Sequence, residues 1–374
     1  MATPRPPLVP AVTDTAPDAM NRNVITPNNA WCRRTGAIIA VFLLGLSAGC
    51  APDAPERSLL EIDGETMGTT YTVKVVDAPD GLAIGDLRAG IVSVLARVDR
   101  QMSTYRADSE VSRFNRSTST TWMDVSIELV TVIEAAHRVS LMTDGAFDVT
   151  VGSLVDEWGF GAPPVPDHIP SDDALAAASA DIGYKFLHTR RAPPAIRKDR
   201  PELSVDLSAI AKGYAVDQLG ELLVAHGVDN YLVEIGGELK VRGRNAADGQ
   251  WAVAIEQPLI ATRRVQRMLL LSEAAVATSG DYRNFVALDD RVFSHAINPR
   301  TGVPVTGSTA SVTVVDPSAM RADALATALL VTGVDRGLRL AEQNDMAALF
   351  ILHDGGHTIE RATADFTAYL APEE

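Results

Sequence analysis

The chain has 374 residues, of which 46% are hydrophobic and 22% charged, a balance that excludes wholesale disorder and suits one large domain or two small ones. A formal net charge of -15 and a pI near 4.9 exclude a surface built to neutralise nucleic-acid phosphates, so no nucleic-acid partner is expected. The two cysteines, Cys32 and Cys50, both precede the globular part, which excludes a disulfide framework or a cysteine-ligated metal inside it.

In chain order the first signal is Gly36 to Ala48 (GAIIAVFLLGLSA), uncharged, apolar and preceded by Arg33 and Arg34. It is short for a bilayer span and has the shape of a signal-peptide core. It ends on Leu46-Ser47-Ala48-Gly49-Cys50, which resembles the bacterial lipobox, where small residues admit the peptidase and the cysteine is acylated as the new N-terminus. The alternative is a secretory signal or short anchor with a chance cysteine. The expected organisation is 1-49 as a lipoprotein-type signal peptide, 50-58 as a lipidated tether and 59-370 as one domain. That places the chain on the periplasmic side of a bacterial membrane, held through lipid on Cys50. No later window is apolar for long enough to cross.

Leu59 to Val76 reads as a strand, with alternation clearest over Thr70 to Val75. Leu87, Ile91, Val94, Leu95, Val98 and Met102 recur at helical spacing, and a second helix runs from Ser126 through Ile127, Val130, Ile133, Ala136 and Val139. Ser171 to Ala180 predicts an Ala-rich helix with Asp172 and Asp173 in its first turn, and Pro193-Pro194 marks a loop. Ser208 to Ala225 predicts a helix, followed by strands at Tyr231 to Ile235 and Glu238 to Val241 about a Gly236-Gly237 turn. Further strands are expected at Trp251 to Ile255, Met268 to Leu271 and Ala310 to Val315, helices at Ala319 to Val331 and Asp335 to Gln343, and a final strand at Ala348 to Leu352. This order implies an α+β fold, a single globular domain with mixed or antiparallel sheets and packed helices.

Three polar segments lie in otherwise core-like surroundings. Over Ser204 to Asp217 a strand is expected to run into a helix, with Ser208 as N-cap and Lys212 one turn on. The helix N-terminus and the lysine suit an anionic phosphate, although a capped helix with a solvated lysine reads equally well. Asp323 and Thr327 are four apart on one helical face amid alanines, a carboxylate and hydroxyl that suit Mg2+, or else an Asp bonded to a nearby hydroxyl. His295 sits where a strand meets a Pro/Gly turn, a place for a general base, though a surface histidine is the commoner outcome. No Walker loop, dinucleotide Gly motif or His-Glu-x-x-His zinc pattern occurs. Metal-assisted attack on a nucleotide pyrophosphate is the chemistry these groups suggest.

The same segments resemble the ApbE family of FAD:protein FMN transferases from Met67 to about Leu352. The resemblance rests on Met67-Gly68-Thr69-Thr70-Tyr71, Met102-Ser103-Thr104-Tyr105, Gly145 to Thr150, Asp206 to Asp217, Val233 to Glu238, Ala277 to Tyr282, Ser294-His295 and Ala322 to Thr327. It implies an ApbE-like T-fold domain that uses FAD as substrate with Mg2+ and esterifies FMN to a Ser or Thr hydroxyl of an exported flavoprotein acceptor, releasing AMP. By resemblance, Asp323, Thr327 and the Ala209 carbonyl hold the metal. Met67, Tyr105, Ala146, Phe147, Asp148, Asp206, Lys212 and Ile297 contact FAD, and His295 and Asp206 are the catalytic candidates. Asn298 departs from the family, whose members commonly place Asp before Pro299; Asn is expected to shape the turn as well. Hydrolysis of FAD to FMN and AMP, or flavin binding without turnover, are the competing readings.

Overall fold

In the computed structural model the described residues are 57–162, 168–258, 264–280, 285–288, 291–355 and 357–372. The expected signal peptide, Cys50 and most of the expected tether lie outside them, as do Asp281 and Tyr282.

The single strand expected over Leu59 to Val76 is two, β1 (Leu59–Thr66) and β2 (Thr69–Val76), paired antiparallel. Met67 (φ 48) and Gly68 (φ 73) reverse the chain between them, the two positive φ values that a tight hairpin turn needs. Thr-rich flanks of equal β propensity hid that turn. In β2, Tyr71, Val73 and Val75 are buried while Thr72 and Lys74 are half-buried, the period-two pattern of a one-sided strand.

The hydrophobic repeat from Leu87 to Met102 becomes the buried stripe of α1 (Ile84–Met102), followed by the short α2 (Glu110–Arg116). After β3 (Met123–Asp124), α3 (Ile127–Met142) starts on Ser126, whose hydroxyl accepts the Leu129 N–H. Ile127, expected in the core, sits in the first turn and is exposed. Then come α4 (Gly152–Glu157), α5 (Asp172–Ser179), and the hairpin β4 (Leu187–Arg191) and β5 (Pro194–Lys198). That hairpin joins β3 in a small sheet packed on α3; the sequence reading found only its Pro-containing turn.

Two expectations fail before α6 (Ala211–Ala225). Ser208 is not the N-cap, since the helix starts after Ile210 and has no side-chain cap bond. The preceding segment is no strand: Ser204 makes one isolated bridge to Val151. Asp206 takes the Ser208 N–H instead, at 2.9 Å, forming an Asx turn that delays the helix.

The remaining strands are β6 (Tyr231–Ile235), β7 (Glu238–Arg242), β8 (Trp251–Glu256), β9 (Val265–Leu271), β10 (Glu273–Gly280), β11 (Phe285–Leu288), β12 (Arg291–Ser294) and β13 (Thr309–Asp316). α7 (Ala319–Thr332) and α8 (Val334–Gln343) follow, then β14 (Ala347–Asp354). β14 is not the last strand, because β15 (His357–Ala362) and the short α9 (Ala364–Thr367) come after it.

Eight strands form the main sheet in the order β1-β2-β6-β7-β10-β13-β14-β15, every neighbouring pair antiparallel. On one face Val73, Val233, Ala275, Ala277, Val312 and Phe350 pack beneath α1, α6 and α7. The alternate residues Val241, Val276, Val315, Leu349 and Ile351 pack against the β8–β9 ribbon and Phe366 of α9. The α+β expectation therefore holds, as helices, a central antiparallel sheet and a covering ribbon.

Candidate active site

Every catalytic, metal and FAD-contact candidate read from the sequence lines one cleft of about 1440 Å³. Met67 comes from the β1–β2 turn, Tyr105 from the loop after α1, and Ala146, Phe147 and Asp148 from the turn after α3. Asp206, Ala209 and Lys212 come from the entry to α6, His295 and Ile297 from the loop after β12, and Asp323 and Thr327 from α7. The fold thus gathers residues up to 260 positions apart, from Met67 to Thr327.

The polar centre lies where α6 crosses α7. A Cβ on Gly213 would sit 2.8 Å from the Asp323 Cβ and would also strike the Ala319 carbonyl, so only glycine permits this crossing. The Gly213 N–H donates to Asp323 Oδ2 at 3.0 Å. One turn further along α7, Thr327 Oγ1 and Ser279 Oγ of β10 lie 2.9 Å apart. Lys212 Nζ is 3.2 Å from Glu238 Oε1 and 3.5 Å from the Ser208 carbonyl oxygen.

Burial disfavours charge on Lys212, but Asp323, Glu238 and Asp206 outweigh it and hold its ammonium above its ordinary pKa. Burial pushes Glu238 up to about 7 against the pull of Lys212, with Asp323 adding to the rise. Burial likewise raises Asp323, which Lys212 and the Gly213 N–H oppose. Partners that both rise are consistent here, because three carboxylates compete for one ammonium. When ionised, Asp206, Glu238 and Asp323 leave a formal excess of two negative charges over Lys212, in surroundings where uncompensated charge is costly.

Asp148 and Asp206 hold the neighbouring wall. Asp148 Oδ1 accepts from the Thr150 N–H and hydroxyl at 2.8 and 2.7 Å, and Oδ2 accepts the Tyr184 N–H at 2.8 Å. Burial still leaves its carboxyl above the usual range. The Asp206 N–H donates to the Val149 carbonyl at 2.8 Å, tying the two segments together. Tyr105 is 64% exposed at the rim, and its hydroxyl donates to the Phe160 carbonyl at 3.1 Å.

His295 is carried by a loop with its own small core. Trp158, Leu154, Phe293 and Ile297 pack together, and Trp158 Nε1 donates to the Gly302 carbonyl at 2.8 Å. Asn298 Oδ1 accepts the Arg300 N–H at 2.9 Å, while the Arg300 guanidinium pairs with Asp144 at 2.9 Å. Asn298 therefore shapes the turn, and Arg300 fastens it to the Ala146–Asp148 wall. Phe160 meets the His295 ring edge-on, with centroids 6.4 Å apart.

Sequence reasoning assigned no role to Asp217 or Glu238. Asp217 accepts from Lys240 Nζ at 2.7 Å, the Ser318 hydroxyl at 2.7 Å and the Ala319 and Met320 N–H groups at 3.1 and 3.0 Å. One helix thereby caps the start of the other, satisfying donors that α7 would otherwise leave open. The only signal was an acid on the core side of a helix, legible once that side is known.

Among the described residues no group of three or more His, Cys, Asp or Glu is placed to hold a metal. A cation here would draw on Asp323 with hydroxyl and carbonyl oxygens, a hard donor set that suits Mg2+ better than a transition metal. Glu238 Oε2, buried and without a hydrogen-bond partner, and the excess negative charge both fit a divalent cation.

This is an enzyme's cleft in an α+β scaffold, and comparison with known proteins gives the class a family. A model of the ApbE family matches residues 67–350. The Vibrio cholerae protein named FAD:protein FMN transferase is 42% identical over 334 residues, 89% of this chain and 98% of that one. The Escherichia coli protein of the same name is 35% identical over 340 residues, 90% and 96% respectively. The solved flavin transferase ApbE from Vibrio cholerae aligns with a TM-score of 0.78 at 42% identity, covering 84% of this chain and 100% of that one. The apo flavinyl transferase ApbE from Pseudomonas stutzeri gives 0.77 at 37%, covering 85% and 98%. The chain belongs to the ApbE family.

Proposed function

We propose that the chain is an FAD:protein FMN transferase that moves FMN from FAD onto a serine or threonine hydroxyl of an exported protein and releases AMP. The observation that carries this reading is the convergence of Lys212, Asp323, Thr327, His295 and the Ala146–Asp148 wall on one cleft. Its volume exceeds the roughly 300–1,000 Å³ of an ordinary small-molecule pocket, which leaves room for a dinucleotide and an acceptor loop together.

In this reading Tyr105, exposed at the rim, offers a stacking face for an aromatic ring. Ala146, Phe147 and Ile297 give the apolar wall, and Met67 closes the cleft from the hairpin turn. Lys212, held charged by its three carboxylates, is the cation for the pyrophosphate. The acceptor oxygen bonds to the FMN phosphorus as the bond to the AMP phosphate breaks, the electron pair leaves on AMP, and the hydroxyl proton passes to His295. Asp206, beside the Ser208 N–H, fixes the backbone from which the Ala209 carbonyl is presented. Mg2+ held by Asp323, Thr327 and that carbonyl would neutralise charge on the phosphate oxygens.

We place this activity outside the cytoplasm, with lipid on Cys50 as the anchor, on the strength of the Leu46 to Cys50 pattern. Among the described residues no helix is long and apolar enough to cross a membrane.

Nucleotide chromatography tests the reaction class. With FAD, Mg2+ and a threonine-bearing flavoprotein acceptor, AMP should appear only when acceptor is present and without free FMN. Equal FMN and AMP in the absence of acceptor would make the enzyme a pyrophosphatase, and unchanged FAD would reject both activities.

A further inference from the structure

Glu238 opens β7 directly after the Gly236-Gly237 turn and is 5% exposed, so its carboxylate is held inside the cleft rather than at the rim. Its two oxygens have unequal surroundings. Oε1 faces Lys212 Nζ at 3.2 Å, whereas Oε2 is buried and has no hydrogen-bond partner. A buried carboxylate oxygen left without a partner is costly, and nearby donors are already committed. The Gly237 N–H goes to Glu234 Oε1 at 2.6 Å, and the Gly213 N–H goes to Asp323 Oδ2 at 3.0 Å.

We infer that Glu238 is a further oxygen donor for the divalent cation of this cleft, binding it through Oε2 while Oε1 aims Lys212. The inference rests on the cation-dependent reading above and adds to it a residue outside the Ala209, Asp323 and Thr327 set. One carboxylate then serves both cations of the site, so the lysine and the metal are set at a fixed separation by a single rigid strand end. The Gly-Gly turn brings the start of β7 into the cleft, from which Glu238 reaches Lys212.

The test is Mn2+ alone, titrated into the purified full chain without FAD and followed by electron paramagnetic resonance. Glu238→Gln keeps an acceptor for Lys212 and loses the charge; it should weaken Mn2+ binding at least about tenfold. Lys212→Met should not weaken it, because that change removes a neighbouring positive charge. Glu238→Asp, folded or not as judged by circular dichroism, is read beside them and should bind Mn2+ more weakly than the parent if folded. Wild-type Mn2+ affinity in Glu238→Gln, or equal weakening in Lys212→Met, would overturn the inference. Failure of the parent chain itself to bind Mn2+, with Asp323→Asn no different from it, would instead sink the cation-dependent reading.

Discussion

In the proposed reaction His295 is the residue on which transfer turns, because a threonine hydroxyl is a poor nucleophile until its proton has somewhere to go. Its loop is supported by Trp158 and Asn298, so truncation should leave the cleft intact. We therefore expect His295→Ala to abolish FMN transfer, with a loss of at least about a hundredfold, while FAD affinity measured by fluorescence stays near the parent value. Transfer at the parent rate would remove His295 as the base. His137, away from the cleft on α3, governs a different property. Burial lowers its pKa below 6.5, with His188 adding to the effect and Glu134 opposing it. The folded state resists protonation there, so the His137 contribution is complete above pH 6.5 and is lost as pH falls below that value. His137→Gln should lose less urea stability than the parent between pH 7.5 and 5.5; equal losses would contradict the assignment. At this scale the sequence was informative where chemistry concentrates: Lys212, Asp323, Thr327 and His295 stand out as polar groups amid small or apolar neighbours. Glu238 and Asp217 do not, because their roles exist only across the α6, α7 and β7 contacts.

Elements read well where one face alone is buried. The stripe of α1 and the alternation of β2 and β8 are visible in the residue pattern because their opposite faces are at least partly open to solvent. β10 was missed for the converse reason. Its Glu273-Ala274-Ala275-Val276-Ala277-Thr278-Ser279-Gly280 run is poor in β-branched residues, yet it occupies the middle of the sheet beside β13. Small side chains are required there because the Ala-rich α7 packs directly on it, so tertiary packing overrides strand propensity. The same closeness makes the α6–α7 crossing fragile. Gly213→Ala should cost about 1–3 kcal/mol of unfolding free energy by overpacking and displace Asp323, which denaturant unfolding and a Mg2+ titration of transfer would register together. Parent stability and parent Mg2+ dependence in that variant would refute the close approach.

For the molecule as a whole, one sheet carries two layers, and the cleft opens among loops and helix starts on its α6–α7 side. In the proposed reading the Leu46 to Cys50 pattern is the address of this body. Cys50→Ala should move the protein from the detergent-requiring membrane fraction to the soluble fraction and abolish palmitate labelling; membrane retention with label intact would exclude Cys50 as the anchor. The reach of the chain from Met67 to Thr327 explains why function was legible before topology. Short motifs identify the groups, whereas only the folded sheet shows that they share a cavity. FMN transfer is read most directly from the intact mass of a threonine-bearing acceptor after incubation with the enzyme, FAD and Mg2+. The acceptor should gain the mass of one FMN less one water, a gain lost when its threonine becomes valine; an acceptor of unchanged mass while FAD is consumed would rule out transfer.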